Sequence, residues 1–254
     1  MAMVFSIINN KGGTGKTTTT LNLGAALTKK KKSVLVIDFD GQCNLSSSLG
    51  VSGSSPNVGD LLLSQCKLDD AIYKHSSISI IPGAEKMLDI ENQINNEPGG
   101  EYLLKETLNG VLNKYDFIFI DCPPNLGILS INSLVAADYF IVPMQTENFA
   151  FIGLDKILYI SEKVNKRLNT NLQLAGILLI RFAQKTKFSQ AVISNISNND
   201  KLKDKLFNSF IRQDIALMES SAFGQTIYEY APKSRGASDY FDLAKEILNK
   251  YGKK

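Results

Sequence analysis

Residues 10–18 have the sequence Asn10-Lys11-Gly12-Gly13-Thr14-Gly15-Lys16-Thr17-Thr18, which carries the strongest structural signal in the chain. The apolar run 4–8 before it is typical of a buried strand, and residues 19–27 after it are typical of a helix. In a glycine-rich turn between a strand and a helix, backbone N–H groups and the helix N-terminus bind phosphate oxygens. The stretch therefore predicts a phosphate-binding loop in which Lys16 contacts the β- and γ-phosphates and the Thr17 hydroxyl binds Mg²⁺.

The length and composition of the chain favour one soluble domain. Its 254 residues suit a single α/β domain, and a hydrophobic content of 44% with 21% charged residues is ordinary for a globular protein. Strand and helix signals alternate along most of the chain, which predicts an α/β fold with a mostly parallel twisted sheet and helices on both faces. We expect residues 1–254 to form one domain without a linker or repeat.

Two of the predicted strands end in an acidic residue. The run 33–37 leads into Asp38, and the run 117–120 leads into Asp121. Ligand groups of parallel sheets gather at the carboxyl ends of the strands, so both acids are expected to face the phosphate loop. The other predicted elements are strands at 78–81, 139–143 and 174–180, an edge strand at 206–211, and helices within 84–114 and at 152–168, 187–198 and 235–251.

The cysteines and the charge limit the possible classes of protein. Cys43, Cys66 and Cys122 are widely spaced and form no C-x-x-C motif, which argues against a disulfide scaffold or a structural zinc site and fits a cytoplasmic protein. No apolar run is long enough to span a membrane, and no leader is expected. The net charge of +3 permits an anionic partner such as DNA.

A second lysine distinguishes this loop from the usual pattern. Asn10 occupies the first glycine position and Lys11 follows it, giving K-G-G-x-G-K-T-T. This pattern resembles the ParA/MinD family of deviant Walker A ATPases, which have a P-loop NTPase fold. The similarity continues through a D-x-D-x-Q segment at 38–42, a Walker B and switch II region at 115–143, and a C-terminal block at 219–240. Gly41 stands where many members have proline.

The resemblance implies a role for each site residue. ATP and Mg²⁺ are the implied ligands, and Lys11, Gly12, Gly13, Thr14, Gly15, Lys16, Thr17 and Thr18 would bind the nucleotide. Thr17, Asp38 and Asp121 would hold the metal ion, while Asp40 would position the attacking water. Lys11 would reach the γ-phosphate in a partner subunit, so Lys11, Lys16 and Asp40 form the implied catalytic set.

The ParA-type branch implies a slow ATPase stimulated by a ParB-type partner on its cargo, which is a plasmid, a chromosome or another assembly. Its ATP-sandwich homodimer would bind DNA non-specifically, and the protein would be cytoplasmic and nucleoid-associated. In the segment that resembles R-N-V-R-L-x-E, Ala216 replaces the second arginine. The candidate DNA contacts are Arg181, Lys185, Arg212, Lys233 and Arg235. By analogy, the adenine would lie near Arg181 and residues 210–213.

Two other functions remain open. A MinD-like membrane switch would end in an amphipathic helix, but residues 248–254 are basic without a bulky apolar face, so no stable membrane insertion is expected. A metabolic enzyme of the dethiobiotin synthetase type would use the same loop, and Lys11 argues against it. The cysteines do not match an iron–sulfur member. His75 is interpreted as a surface residue in a helix-to-strand connection.

Overall fold

The protein is built around one seven-stranded sheet. The computed structural model describes residues 1–146, 150–183 and 186–252. The strands are β1 (Met3–Ile7), β2 (Val34–Asp38), β3 (Tyr73–His75), β4 (Ile78–Ile81), β5 (Phe117–Asp121), β6 (Tyr139–Gln145) and β7 (Gln173–Ile180). They lie in the order β3-β4-β2-β5-β1-β6-β7. β3 pairs antiparallel with β4, and the other pairs are parallel, which confirms the predicted fold class.

Helices cover both faces of the sheet. They are α1 (Lys16–Lys29), α2 (Asn44–Ser47), α3 (Val58–Leu62), α4 (Met87–Asn95), α5 (Leu103–Leu108), α6 (Ile128–Ala136), α7 (Ala150–Arg167), α8 (Lys187–Ser197), α9 (Ile215–Ala222), α10 (Ile227–Tyr230) and α11 (Arg235–Tyr251). Short 3₁₀ turns occupy Leu68–Ala71 and Gly100–Tyr102. None of the helices in the described ranges is long and apolar enough to cross a membrane.

Alternation along the strands divides the core into two layers. Val4 packs with the side chains of α3 to α8, whereas its neighbour Phe5 packs with those of α1, α2 and α9 to α11. Successive side chains of a strand point to opposite faces, so a strand that is apolar throughout needs helices on both sides. β1, β2 and β5 are buried along their whole length, which explains why their sequences are continuous apolar runs.

Strand register brings the acids to the phosphate loop. β1 lies between β5 and β6, and the loop starts directly after its carboxyl end. Asp121 is the register partner of Ile7 on β1 and of Asp38 on β2. As predicted, the two acids lie close together, at the carboxyl ends of the neighbouring strands β2 and β5.

Two local predictions were wrong. The segment 206–211 is not a strand, since only Leu206 and Ile211 form isolated bridges to β7. The reason is that the N–H groups of Asn208 and Ser209 donate to the Glu246 carboxylate of α11 instead of the sheet. His75, predicted in a connection, ends the short strand β3 and lies half-buried, with Nε2 3.6 Å from Glu229 Oε2.

Candidate nucleotide site

Two glycines give the loop its shape. Gly13 and Gly15 have φ values of 71° and 74°, in the left-handed region that side chains disfavour, and Gly15 is the N-cap of α1. A Cβ added to Gly15 would lie 2.6 Å from Ile180 Cδ1, so the end of β7 packs directly on the loop. The glycines therefore leave the N-terminus of α1 open to an anion, as phosphate binding requires.

The neighbouring strand β6 holds the loop in place. Asn9 Nδ2 donates to the carbonyl of Pro143 at 2.7 Å, and Gln145 Nε2 donates to the carbonyl of Gly13 at 2.7 Å. Asn9 Oδ1 in turn accepts from the Lys11 N–H at 3.0 Å. Sequence reasoning missed Asn9 and Gln145, because their partners are brought close by sheet order and have no local signal.

Lys16 is buried at the base of the loop. Its Nζ donates to the carbonyl of Lys11 at 3.0 Å, and the residue is 7% exposed. Burial lowers the pKa of the Lys16 ammonium, and the negative charges of Asp121 and Asp40 oppose this effect. A phosphate oxygen would be a stronger acceptor than a carbonyl because it carries charge.

Asp121 has the environment of a metal ligand. The residue is 1% exposed, and within the described ranges neither carboxylate oxygen accepts a hydrogen bond of normal geometry. Burial, with the nearby Asp38 charge, raises the pKa of Asp121 well above its usual value, while the Thr17 hydroxyl and Lys16 act in the opposite direction. A buried carboxylate without a partner is costly, and a divalent cation would relieve that cost. These donors, with Thr17, fit Mg²⁺, which binds few protein side chains beside phosphate and water.

Asp38 is buried next to Asp121 but already has partners. Its Oδ2 accepts from the Ser46 N–H at 2.8 Å and from Ser46 Oγ at 2.7 Å. Burial raises the pKa of Asp38 to about 6, and the bonds from Ser46 limit the rise. Asp38 is thus placed to support the metal site while being fixed by α2.

Asp40 begins a tight turn beside the loop. Its N–H donates to Asp38 Oδ1 at 3.3 Å, its Oδ1 accepts from the Gln42 N–H at 3.0 Å, and its carbonyl accepts from the Cys43 N–H at 2.9 Å. The residue is half-buried and lines the same cavity as Lys16 and Thr17. The turn therefore presents the Asp40 carboxylate to whatever occupies the loop.

A cavity of about 660 Å³ extends away from the loop. Its far side is formed by Ile180, Arg181, residues 211–215 and Met218. Arg181 has a φ of 48°, which is unusual for a residue other than glycine and is a form of strain common at functional sites. The volume suits a nucleotide-sized ligand with its phosphates on the loop and its base at the far side.

α11 fixes the far side of the cavity. Asp239 accepts from the Arg212 N–H at 2.8 Å, from Nε at 3.1 Å and from Nη2 at 2.6 Å. Asp214 Oδ2 accepts from the Gly236 N–H at 2.7 Å. Arg212 is thus engaged within the chain, whereas Arg181, Lys233 and Arg235 are exposed and Lys185 lies outside the described residues. Asp214 and Asp239 have no sequence motif that could have revealed these contacts.

The protein-family model described as "AAA domain" matches residues 2–174. The sporulation initiation inhibitor protein Soj of Bacillus subtilis (strain 168) is 37% identical over 97% of this chain and 98% of its own length. The chain belongs to the ParA/MinD family of P-loop ATPases. The chromosome-partitioning ATPase Soj of Treponema pallidum (strain Nichols) is 36% identical over the full length of both chains.

Solved structures of similar proteins have the same fold. MinD of Pyrococcus horikoshii OT3, complexed with Mg-ADP, superposes with a TM-score of 0.81 at 29% identity, covering 99% of this chain and 98% of its own. Cobyrinic acid a,c-diamide synthase of Mycobacterium smegmatis, with a bound ATP analogue and magnesium, superposes with a TM-score of 0.83 at 29% identity, covering 100% and 98%. The fold is therefore shared by a septum site-determining protein and a biosynthetic synthase.

Proposed function

We propose that this protein, as one domain over residues 1–254, is a ParA-type ATPase that binds Mg-ATP and hydrolyses it to ADP and phosphate. One observation carries the proposal: beside an open phosphate loop, the Lys16 ammonium interacts electrostatically with the buried carboxylate of Asp121, whose oxygens accept no normal hydrogen bond within the described residues. The nucleotide and magnesium bound in the M. smegmatis and P. horikoshii structures support ATP and Mg²⁺ as the ligands. The Soj relatives support the partition branch over other branches.

In the proposed reaction, each group of site residues has a different role. Residues 12–18 bind the phosphates through backbone N–H groups and Lys16, and Thr17 and Asp121 hold Mg²⁺ with Asp38 in support. Bound Mg²⁺ neutralises charge on the phosphates during transfer. Asp40 orients the attacking water, because it lies on the cavity wall beside the loop and is held by its own turn.

Lys11 would complete the nucleotide site of a second copy of the chain in a dimer. Gly12 and Gly13 are exposed, so this side of the loop faces solvent where a second copy can approach. In the proposed ATP-bound homodimer, Lys11 of each subunit contacts the γ-phosphate held by its partner. A cation placed there stabilises the charge that develops on the transferred phosphoryl group, as an arginine finger does.

The dimer then binds DNA non-specifically, through basic side chains that contact phosphates. Arg181, Lys233 and Arg235 are exposed, and Gly236, the neighbour of Arg235, donates its N–H to Asp214 of the cavity lining. Lys185 is retained as a candidate, and Arg212 would first have to leave Asp239. A ParB-type partner on a plasmid, chromosome or other cargo would stimulate hydrolysis, and the protein would be cytoplasmic and nucleoid-associated.

One comparison tests this function against the alternatives. DNA binding and liposome binding are measured side by side with ADP and with a non-hydrolysable ATP analogue, and ATP turnover is measured without any small substrate. ParA-type function requires analogue-dependent DNA binding and measurable turnover. Analogue-dependent liposome binding would indicate a MinD-like switch instead. Turnover that needs an added small-molecule substrate would indicate a metabolic enzyme of the dethiobiotin synthetase type.

A further inference from the structure

One continuous segment contacts every loop that carries a site acid. It runs from the end of β4 through the first turns of α4, over residues 82–91, and we refer to it as the β4–α4 segment. Three of its residues, Gly83, Met87 and Glu91, meet Asp38, Gly41 and Gly127. Gly41 directly follows Asp40, and Gly127 closes the loop that follows Asp121.

The first contact is at Asp38. The N–H of Gly83 donates to Ser46 Oγ at 2.8 Å, and that hydroxyl donates to Asp38 Oδ2 at 2.7 Å. A Cβ added to Gly83 would lie 3.0 Å from Asp38 Cγ. The carboxyl of Asp38 is therefore packed directly against the backbone of the β4–α4 segment.

The second contact is at the loop of Asp40. A Cβ added to Gly41 would lie 3.1 Å from Met87 Cβ, in the first turn of α4. Gly41 does not have a positive φ, so the close approach of α4 rather than the backbone angle limits which side chain fits there. A proline has a Cβ at the same place and would meet the same close contact.

The third contact is at the N-terminus of α6. Gly127 is the N-cap, no side chain among the described residues caps this helix end, and its first turn contains no acidic residue. A Cβ added to Gly127 would collide with Glu91 Oε1. The Glu91 carboxylate thus lies against Gly127 and places beside this helix end a negative charge that the first turn of α6 lacks.

We propose that the β4–α4 segment is the positioning element for hydrolysis, with Met87 fixing the loop of Asp40 and Glu91 fixing the loop after Asp121. The proposal rests on the ATPase function proposed above. Asp40 and Pro124 line the nucleotide cavity, but Gly41, Met87 and Glu91 are not among its described lining residues. Disturbing these three residues should therefore change kcat while leaving nucleotide affinity unchanged.

Glu91→Gln removes the charge and keeps the shape of the side chain. We expect kcat to fall about threefold, the size of a helix-dipole interaction, with KM for ATP and the calorimetric Kd unchanged. Glu97→Gln is the matched control, because Glu97 is exposed and lies just beyond α4, outside the β4–α4 segment. That control should keep the kcat and KM of the unaltered protein.

Gly41→Ala tests the contact with Met87. The added Cβ must displace the loop or α4, and a displacement of this kind should lower kcat about tenfold, again without a change in Kd. Gly110→Ala is the control for crowding alone, since its Cβ would lie 3.0 Å from Leu68 Cδ2, away from the site. Similar thermal stability of the two alanine variants would show that kcat reports position and not unfolding.

The outcomes separate this proposal from the function on which it rests. If Asp40→Ala abolishes turnover while Glu91→Gln and Gly41→Ala hydrolyse ATP at the original rate, the positioning role is overturned and the ATPase function stands. Loss of nucleotide affinity that parallels the loss of kcat would overturn the positioning role as well. If Asp40→Ala itself keeps full turnover, the role of Asp40 and the positioning role both fail while the ATPase function stands. Only the absence of ATP turnover in the unaltered protein would overturn the function as well.

Discussion

Asp38 and Asp121 are register partners at the ends of β2 and β5, so two buried carboxyl groups lie side by side next to Lys16. Neither residue is more than 1% exposed. Two adjacent carboxylates repel each other and both lose hydration, which a protein tolerates where a cation or a transferred phosphate compensates. The strand register therefore creates the acidic pair beside which we propose that Mg-ATP binds.

The carboxyl pair predicts a pH-dependent stability of the protein in the absence of Mg²⁺. Because burial raises the folded-state pKa of Asp38 from 3.8 to about 6, its contribution is fully present below pH 4 and is lost as the pH rises through 6. The shift corresponds to roughly 3 kcal/mol at most. Urea unfolding in EDTA should therefore give a lower free energy of unfolding at pH 7.5 than at pH 5.

Asp121→Asn provides the control for that measurement. The substitution removes a buried charge whose oxygens accept no normal hydrogen bond within the described residues, so it should stabilise the metal-free protein at pH 7.5 by about 1 kcal/mol or more. It should also weaken the pH dependence and abolish any stabilisation by Mg-ADP. Equal unfolding free energies of the original protein at pH 5 and pH 7.5 would contradict this account of the pair.

Lys16→Ala should abolish ATP binding without destabilising the fold. The loop loses the cation that pairs with the β- and γ-phosphates, and loss of one partner of a buried charged pair weakens binding by about 100-fold or more. Burial of the Lys16 ammonium is unfavourable while its charge offsets those of Asp121 and Asp40, so we expect its removal to change the melting temperature little. Calorimetry measures the affinity, with Lys105→Ala on the exposed side of α5 as the control. Unchanged ATP affinity would refute the loop assignment.

Local sequence patterns were sufficient to predict the parts of the site that lie at the end of an apolar strand. The loop 10–18 and the acids Asp38 and Asp121 each end or follow an apolar strand, and this signal is local. Gln145, Asp239 and Glu91 could not be predicted, because each acts on residues more than 25 positions away in the sequence. The segment 206–211 has the composition of a strand, but two of its N–H groups donate hydrogen bonds to Glu246 instead of to a neighbouring strand.

Asp40→Ala should leave ATP binding intact and trap the ATP-bound state. The Asp40 carboxylate bonds the Gln42 N–H and not the loop, so its loss should not disturb the phosphate pocket. A residue that orients the attacking water contributes about 100-fold or more to the rate. Light scattering after chromatography in ATP should show a dimer that persists for longer than in the original protein. The exposed Asp70→Ala is the control, and a monomer in ATP would count against both the role of Asp40 and the nucleotide-gated dimer.

Arg212 and Arg235 should behave differently in DNA binding, although both are basic residues near the cavity. Arg212 is held by Asp239 through Nε and Nη2, so Arg212→Ala should lower the melting temperature and weaken ATP binding through residues 211–215. Arg235 is exposed, and Arg235→Ala should leave melting temperature and ATP affinity unchanged.

If Arg235 contacts a phosphate, its loss weakens DNA binding equally for all sequences and reduces the slope of log affinity against log salt by about one. Binding is measured by fluorescence anisotropy in the ATP analogue over a range of salt concentrations. An Arg235→Ala variant with the original slope, together with an Arg212→Ala variant of normal stability and reduced slope, would reverse the assignment and place the DNA contact at Arg212.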